Sequence, residues 1–141
     1  EEDPELVPSA VDEFLRHQNT VVYLRRTATR DMEYLGQQIR KGDKLVCILG
    51  APNRDPALFP DPDAFDITRP INNTRKNYRT FGQGPHYCVG VHQARLNLEV
   101  MLEAIVRCMT DFRLLAAPRH ARSIFMDGYK EMRVGFARRP A

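Results

Sequence analysis

The 141-residue chain has little cysteine, little net charge and no long apolar run. Cys47, Cys88 and Cys108 are its three thiols. An odd count without framework spacing argues against a disulfide scaffold and for a reducing compartment. The formal net charge is +3, too small for nucleic-acid binding by bulk charge. No apolar run reaches the roughly 20 residues of a spanning helix, so membrane association is not indicated. The acidic stretch Glu1 to Glu5 is unlike a signal-peptide start, and a cytoplasmic setting is expected. Internal repeats and low-complexity tracts are absent too. Hydrophobic residues at 43% and charged residues at 28% fit a folded chain, and the length is that of one ordinary domain.

Charge is unevenly spread. Residues 1–20 hold six acids and one arginine, whereas residues 111–141 hold seven bases and three acids. This reads as a solvated surface or as a basic face for an acidic protein partner.

Several elements are legible. Ser9 with Asp12 resembles a helix-start box, and Val11, Phe14 and Leu15 recur at helical spacing, predicting a helix over 9–18. Thr20 to Leu24 is a strand candidate, and Lys44 to Leu49 reads as a buried strand. Gly36 and Gly42 mark turns. Five of the ten prolines fall within residues 52–70. Proline lacks an N–H donor and fixes φ, so an irregular meander is expected there, continuing through Asn72 to Arg79. Asn72-Asn73-Thr74 matches a glycosylation sequon, read as chance without a secretory signal. A long helix is predicted from about Gly90 to Met109, a strand over Phe112 to Leu115, and a hairpin of Ser123–Met126 with Met132–Phe136 around Asp127-Gly128. Cys47 and Cys108, inside apolar runs, are expected to be buried.

The most unusual segment is Phe81-Gly82-Gln83-Gly84-Pro85-His86-Tyr87-Cys88-Val89-Gly90. Cys88 lies between a glycine-rich loop and a helix start. Helix N-termini present free N–H groups and partial positive charge, which favour a thiolate. Glycines let the backbone crowd one side of the sulfur and leave the other open. Pro85 is expected to hold Gly84 extended. Three chemistries suit such a sulfur: zinc with His86 and His92, a nucleophile with His86 as base, or axial ligation of haem iron. The first lacks paired ligands at finger-like spacing. The second asks residues two apart to converge. The third needs a single protein ligand.

The ten-residue segment resembles the haem-binding loop F-G-x-G-x-H-x-C-x-G of the cytochrome P-450 monooxygenases, in its bacterial form. The match runs on through Ala94-Arg95 and Glu99. Glu13-Phe14-Leu15-Arg16 resembles the family's E-x-x-R motif. Pro62 to Arg69 resembles its meander motif, and Asn53-Arg54-Asp55-Pro56 the pattern before it. The four motifs follow the family order across nearly the whole chain.

The resemblance implies a mainly α fold with small β-sheets (α+β), residues 1–141 forming the C-terminal segment of one P-450 domain. It implies haem b as cofactor, with Cys88 as axial ligand to its iron, and O2 as co-substrate. Phe81 would shield the sulfur, and Gly82, Gly84 and Gly90 would shape the loop. His86 and Arg26, beside the similar Arg25, would meet the haem propionates. Glu13, Arg16 and Arg69 would form a structural triad. Val21, Val22, Phe125 and Met126, with Ile124, would face a hydrophobic small-molecule substrate. A ferredoxin or flavoprotein would donate electrons, with Arg79 and Arg95 suiting an acidic donor. Gln93 stands where the family commonly has leucine. The family's oxygen-activating helix has no counterpart in the sequence, so this segment alone is expected to be inactive and to expose apolar surface. The alternative reading is a truncated, non-catalytic haem-binding fragment.

Overall fold

The computed structural model describes residues 3–139. A short 3-10 turn, Pro4–Leu6, leads into helix α1, Val7–His17. The helix starts two residues before the expected Ser9. Pro8 suits the first turn, and Ser9 does not cap. Its hydroxyl instead donates to the Ile67 carbonyl at 2.7 Å, tying α1 to the meander. One face of α1 is buried through Val7, Ala10, Val11, Asp12, Glu13 and Arg16.

Strand β1, Tyr23–Thr27, lies later than expected and pairs antiparallel with β4, Lys44–Ile48. Between them, β2, Met32–Tyr34, and β3, Gln37–Ile39, form a small hairpin. β4 was expected to be buried. Val46 and Ile48 are instead about half exposed, because the two-stranded ribbon has no layer packed over it among the described residues. Cys47 in β4 is exposed for the same reason.

Residues 52–70 form the expected irregular meander, opened by a 3-10 turn at Pro52–Arg54. The polar stretch after it is not irregular. It forms helix α2, Ile71–Asn77, started by Pro70 and packed against α1 through buried Thr74. The predicted long helix is α3, Val91–Cys108, which crosses α1. Cys108 is exposed at its C-terminal end, against expectation.

Beyond α3, β5 (Met109–Leu114) pairs with β8 (Val134–Arg138), and β6 (Arg119–His120) pairs with β7 (Tyr129–Glu131). The expected hairpin of Ser123–Met126 with Met132–Phe136 does not form. Asp127-Gly128 makes no tight turn; it ends the loop 121–128 between β6 and β7, and the Met132–Phe136 stretch falls largely in β8, which pairs with β5. Met126 bridges back to Val21 instead.

The core is small: Val7, Ala10 and Val11 of α1, Val91 of α3, and Phe59, Leu49, Ala28 and Tyr78 from the rest. As expected, much apolar surface stays open. Leu96, Val100 and Met101 of α3 are each more than half exposed. An apolar groove of about 330 Å³ runs between α1 and α3, lined by Val11, Phe14, Leu98 and Met101.

Candidate functional site

Beneath the cysteine loop lies a charge cluster built on α1. Arg16 is fully buried. Its Nε and Nη2 donate to the two oxygens of Glu13, each at 2.7 Å. Nη1 donates to the carbonyls of Asn53 and Pro62, and Nη2 also to that of Ala64. A guanidinium has five N–H donors, so all five are used. Arg69 donates through Nε to Glu13 Oε1 at 3.3 Å, and through its Nη atoms to the carbonyls of Pro60 and Asp61 at 2.7 Å. The three residues of the expected triad are thus brought together. The meander lacks ladder partners for its carbonyls, and buried carbonyls need donors. The two arginines supply them.

Burial alone would raise the Glu13 carboxyl. The Arg16 hydrogen bonds, the Asp66 N–H and the charges of Arg16 and Arg69 outweigh burial and hold it below its ordinary value.

Asn53 joins this cluster to the cysteine loop. It is 1% exposed. Its Nδ2 donates to the Arg16 carbonyl and to Thr80 Oγ1, and its Oδ1 accepts the Arg79 N–H at 2.7 Å. Thr80 Oγ1 in turn donates to the Leu15 carbonyl at 2.6 Å. The last turn of α1 therefore fixes residues 79–80, directly before Phe81.

The loop itself closes through backbone bonds. The Gly82 N–H donates to the Arg79 carbonyl, the Tyr87 N–H to that of Gly84, and the Cys88 N–H to that of Phe81 at 3.1 Å. Gly82 and Gly84 take φ of +76° and +75°. Only glycine enters that region without strain. Gly84 is therefore not held extended by Pro85; it opens a 3-10 turn, Gly84–His86. Cys88 is exposed. A Cβ added at Gly90 would stand 3.9 Å from Cys88 Sγ, so glycine keeps that flank of the sulfur clear.

The remaining expected residues are more dispersed. His86 and Arg26 are both exposed, on the 3-10 turn and on β1. Val21 and Met126 form an isolated antiparallel bridge, and the Val22 N–H donates to the Phe125 carbonyl at 2.9 Å. The two segments expected to face substrate are thus neighbours. Gln93 donates to Asn97 Oδ1 one turn on.

Arg95 is not a free surface cation. Its Nε meets Asp12 Oδ1 at 3.1 Å and its side chain is 14% exposed. Arg79 Nη1 is taken by the carbonyls of Lys76, Asn77 and Tyr78. A second cluster has no local signal in the sequence: buried Asp12 accepts from Arg75, Arg95 and the Tyr78 hydroxyl. Burial, with the Asp12 charge, raises the Tyr78 phenol despite Arg95, so it stays protonated.

One soft sulfur donor, open on one side and without companions, fits a group that needs a single protein ligand. No cluster of three or more His, Cys, Asp or Glu residues able to hold a bare metal ion occurs among the described residues. That donor set suits haem and does not suit zinc.

The structure is thus an α+β scaffold with a charge-pinned meander beside an exposed cysteine loop. The Cytochrome P450 family model matches residues 3–128, and the chain belongs to that family. It is 40% identical over 131 residues to linalool 8-monooxygenase of Pseudomonas putida, covering 93% of this chain and 31% of the relative. It is 46% identical over 111 residues to 20-oxo-5-O-mycaminosyltylactone 23-monooxygenase of Streptomyces fradiae, covering 79% and 26%. The structure of P450BioI in complex with hexadec-9Z-enoic acid ligated acyl carrier protein superposes with a TM-score of 0.88 at 33% identity, covering 96% of this chain and 34% of that one. Cytochrome P450-153 from Novosphingobium aromaticivorans gives 0.88 at 35% identity, covering 96% and 33%. The chain therefore spans about a quarter to a third of the length of these proteins. Among the described residues no helix is long and apolar enough to cross a membrane.

Proposed function

We propose that this chain forms the thiolate-bearing, C-terminal segment of a single P450 domain, and that Cys88 Sγ is the axial ligand to the iron of haem b. The observation that carries this reading is the exposed residue Cys88, with its own N–H tied to the Phe81 carbonyl and glycine on the flank of its sulfur. When bound, haem supplies the oxygen chemistry of the family, made accessible by electron donation from a thiolate.

The chain's own residues hold and shelter that group. Phe81 packs beside the loop and limits water at the sulfur. Arg26 offers a cationic donor, and His86 a ring N–H, to the propionate carboxylates. Glu13, Arg16 and Arg69 keep the meander closed beneath the loop. Val21, Val22, Phe125 and Met126 bring apolar side chains together and suit a hydrophobic organic substrate. The whole protein would then insert one atom of O2 into that substrate, with electrons from a ferredoxin or flavoprotein. Since Arg95 is occupied, an acidic donor would have to dock on other cations.

The test is spectroscopic. The polypeptide is loaded with hemin, reduced and exposed to CO. A strongly red-shifted Soret band is expected, and Cys88→Ser should abolish it. An unchanged spectrum in Cys88→Ser refutes the ligand assignment.

A further inference from the structure

Asp12 brings to the molecule a buried charge that the meander does not use. It is fully buried in the middle of α1. Oδ2 accepts from Arg75 Nε at 2.6 Å. Oδ1 accepts from Arg95 Nε at 3.1 Å and from the Tyr78 hydroxyl at 2.9 Å. Arg75 also reaches Glu99 Oε1 at 3.7 Å, but its side chain is 37% exposed. Arg95 is the better shielded partner, and it does more than pair.

Arg95 Nη2 donates to the Tyr78 hydroxyl. Its guanidinium carbon lies 5.7 Å from the centroid of the Tyr78 ring and 5.7 Å from that of Phe81. Those two rings stand 6.2 Å apart. One planar group therefore binds a carboxylate along its edge, a phenol at one corner, and two aromatic rings around it. Phe81 carries the carbonyl that receives the Cys88 N–H. A continuous run of contacts leads from Asp12 on α1, through Arg95 on α3, to Phe81 and the cysteine loop.

We propose that Asp12 and Arg95 are a positioning pair for Cys88, acting through the seat of Phe81 and separate from the Glu13 cluster. The proposal rests on the haem reading above. Its physical basis is geometry. Asp12 fixes the guanidinium in the plane in which it can meet both rings. Without that anchor Phe81 loses a partner, and the backbone that presents the sulfur loses its support. Lysine keeps the charge but has neither the planar fork nor the flat face, so Arg95→Lys should not substitute. Partners that touch a metal ligand directly typically change metal affinity about 10–100-fold, and Arg95 acts through one such partner, Phe81, so the lower end of that range is expected.

The experiment uses the haem-loaded protein expressed at the full length of its gene. Wild type, Arg95→Lys, Arg95→Met and Tyr78→Phe are compared. Three quantities are read: the rate of haem transfer to excess apomyoglobin, the ferrous–CO Soret spectrum, and the urea midpoint. Arg95→Lys should lose haem about tenfold faster, and part of its ferrous–CO spectrum should shift to the band of thiol-ligated haem. Its circular dichroism should remain native. Tyr78→Phe keeps the ring and should lie closer to wild type. A purely structural pair would lower the urea midpoint and leave the haem loss rate and spectrum unchanged; that outcome overturns the proposal. If Arg95→Met does not fold, Arg95→Lys, which keeps a cation beside Asp12, decides the question. A wild-type protein without the red-shifted band sinks the haem reading itself, and this pair with it. A wild-type band that Arg95→Lys leaves intact sinks only the pair.

Discussion

Glu13 and Arg16 meet through two 2.7 Å hydrogen bonds, with side chains 1% and 0% exposed. Both charges are out of water, so neither can be removed without stranding the other. Arg16→Met should therefore cost about 3–5 kcal/mol in unfolding free energy. Arg69 is less buried, at 10% exposure, and Glu13 keeps Arg16 when it is lost. Arg69→Met should cost about 1–3 kcal/mol. Urea denaturation of both variants checks the order. A larger loss in Arg69→Met would mean that the meander, not the buried pair, dominates.

The same carboxylate sets an acid limit. The folded Glu13 carboxyl lies below its ordinary value of 4.5, because the Arg16 and Asp66 bonds and the nearby charges outweigh burial. A group whose folded value is depressed contributes stability above the unfolded value and loses it as pH falls through the folded one. Stability should be constant with respect to Glu13 above 4.5 and decline below it. Asp66 is also lowered, by hydrogen bonds from Thr68, and adds to the same trend. Urea midpoints measured from about pH 7 to about pH 3 should fall. Glu13→Gln should start less stable and show a shallower fall. A slope identical to wild type would remove Glu13 from the account.

Residue by residue, what was legible in the sequence was local. The glycines around Cys88 announce a loop that needs positive φ, and the apolar spacing of residues 94–109 announces α3. Glu13 and Arg16 lie one turn apart, so their pairing follows from helix geometry. Arg69 came from family resemblance, not from any local signal. Asp12 could not be found, because its partners stand 63, 66 and 83 residues away. α2 was hidden because Asn72 to Asn77 has no apolar face; it is held by Pro70 at its start and by packing on α1. The exposure of Cys47 and Cys108 was misread because an apolar run implies burial only where another layer covers it. Asp127-Gly128 misled because a turn-forming dipeptide closes a hairpin only where its flanks pair; here the Asp127 N–H goes to the distant Thr20 carbonyl, and the pair ends a loop.

Gly84 and Gly36 offer a matched pair for testing the loop. Both have φ of +75°, and an added Cβ at either would meet nothing within 4 Å. The intrinsic cost of alanine there is about 1–2 kcal/mol at each site. Gly36 sits in the β2–β3 hairpin, away from Cys88. Gly84→Ala and Gly36→Ala should therefore lower the urea midpoint similarly. Only Gly84→Ala should alter the ferrous–CO spectrum, because its strain is relieved by moving the backbone that receives the Tyr87 N–H. Equal spectra in the two variants would mean that the loop tolerates the shift and does not set the sulfur's position.

The contact between Val22 and Phe125 is the place to test the substrate-facing reading. Phe125 is held by its own carbonyl, which accepts the Val22 N–H at 2.9 Å, and by an edge-on contact with the Tyr23 ring at 6.0 Å. Its backbone position does not depend on its ring, so Phe125→Ala should leave the strand contact in place. Phe125 is 46% exposed, so apolar surface remains for a ligand to cover. Full burial of such a side chain is worth about 1.5–3 kcal/mol, and half of that is roughly tenfold in affinity at most. In the haem-loaded full-length protein, Phe125→Ala should weaken the spectral shift caused by an apolar ligand by up to about tenfold. The thiolate band itself should be unchanged. Loss of that band would assign Phe125 to holding the fold around haem. An unaltered ligand titration would place the apolar pocket elsewhere.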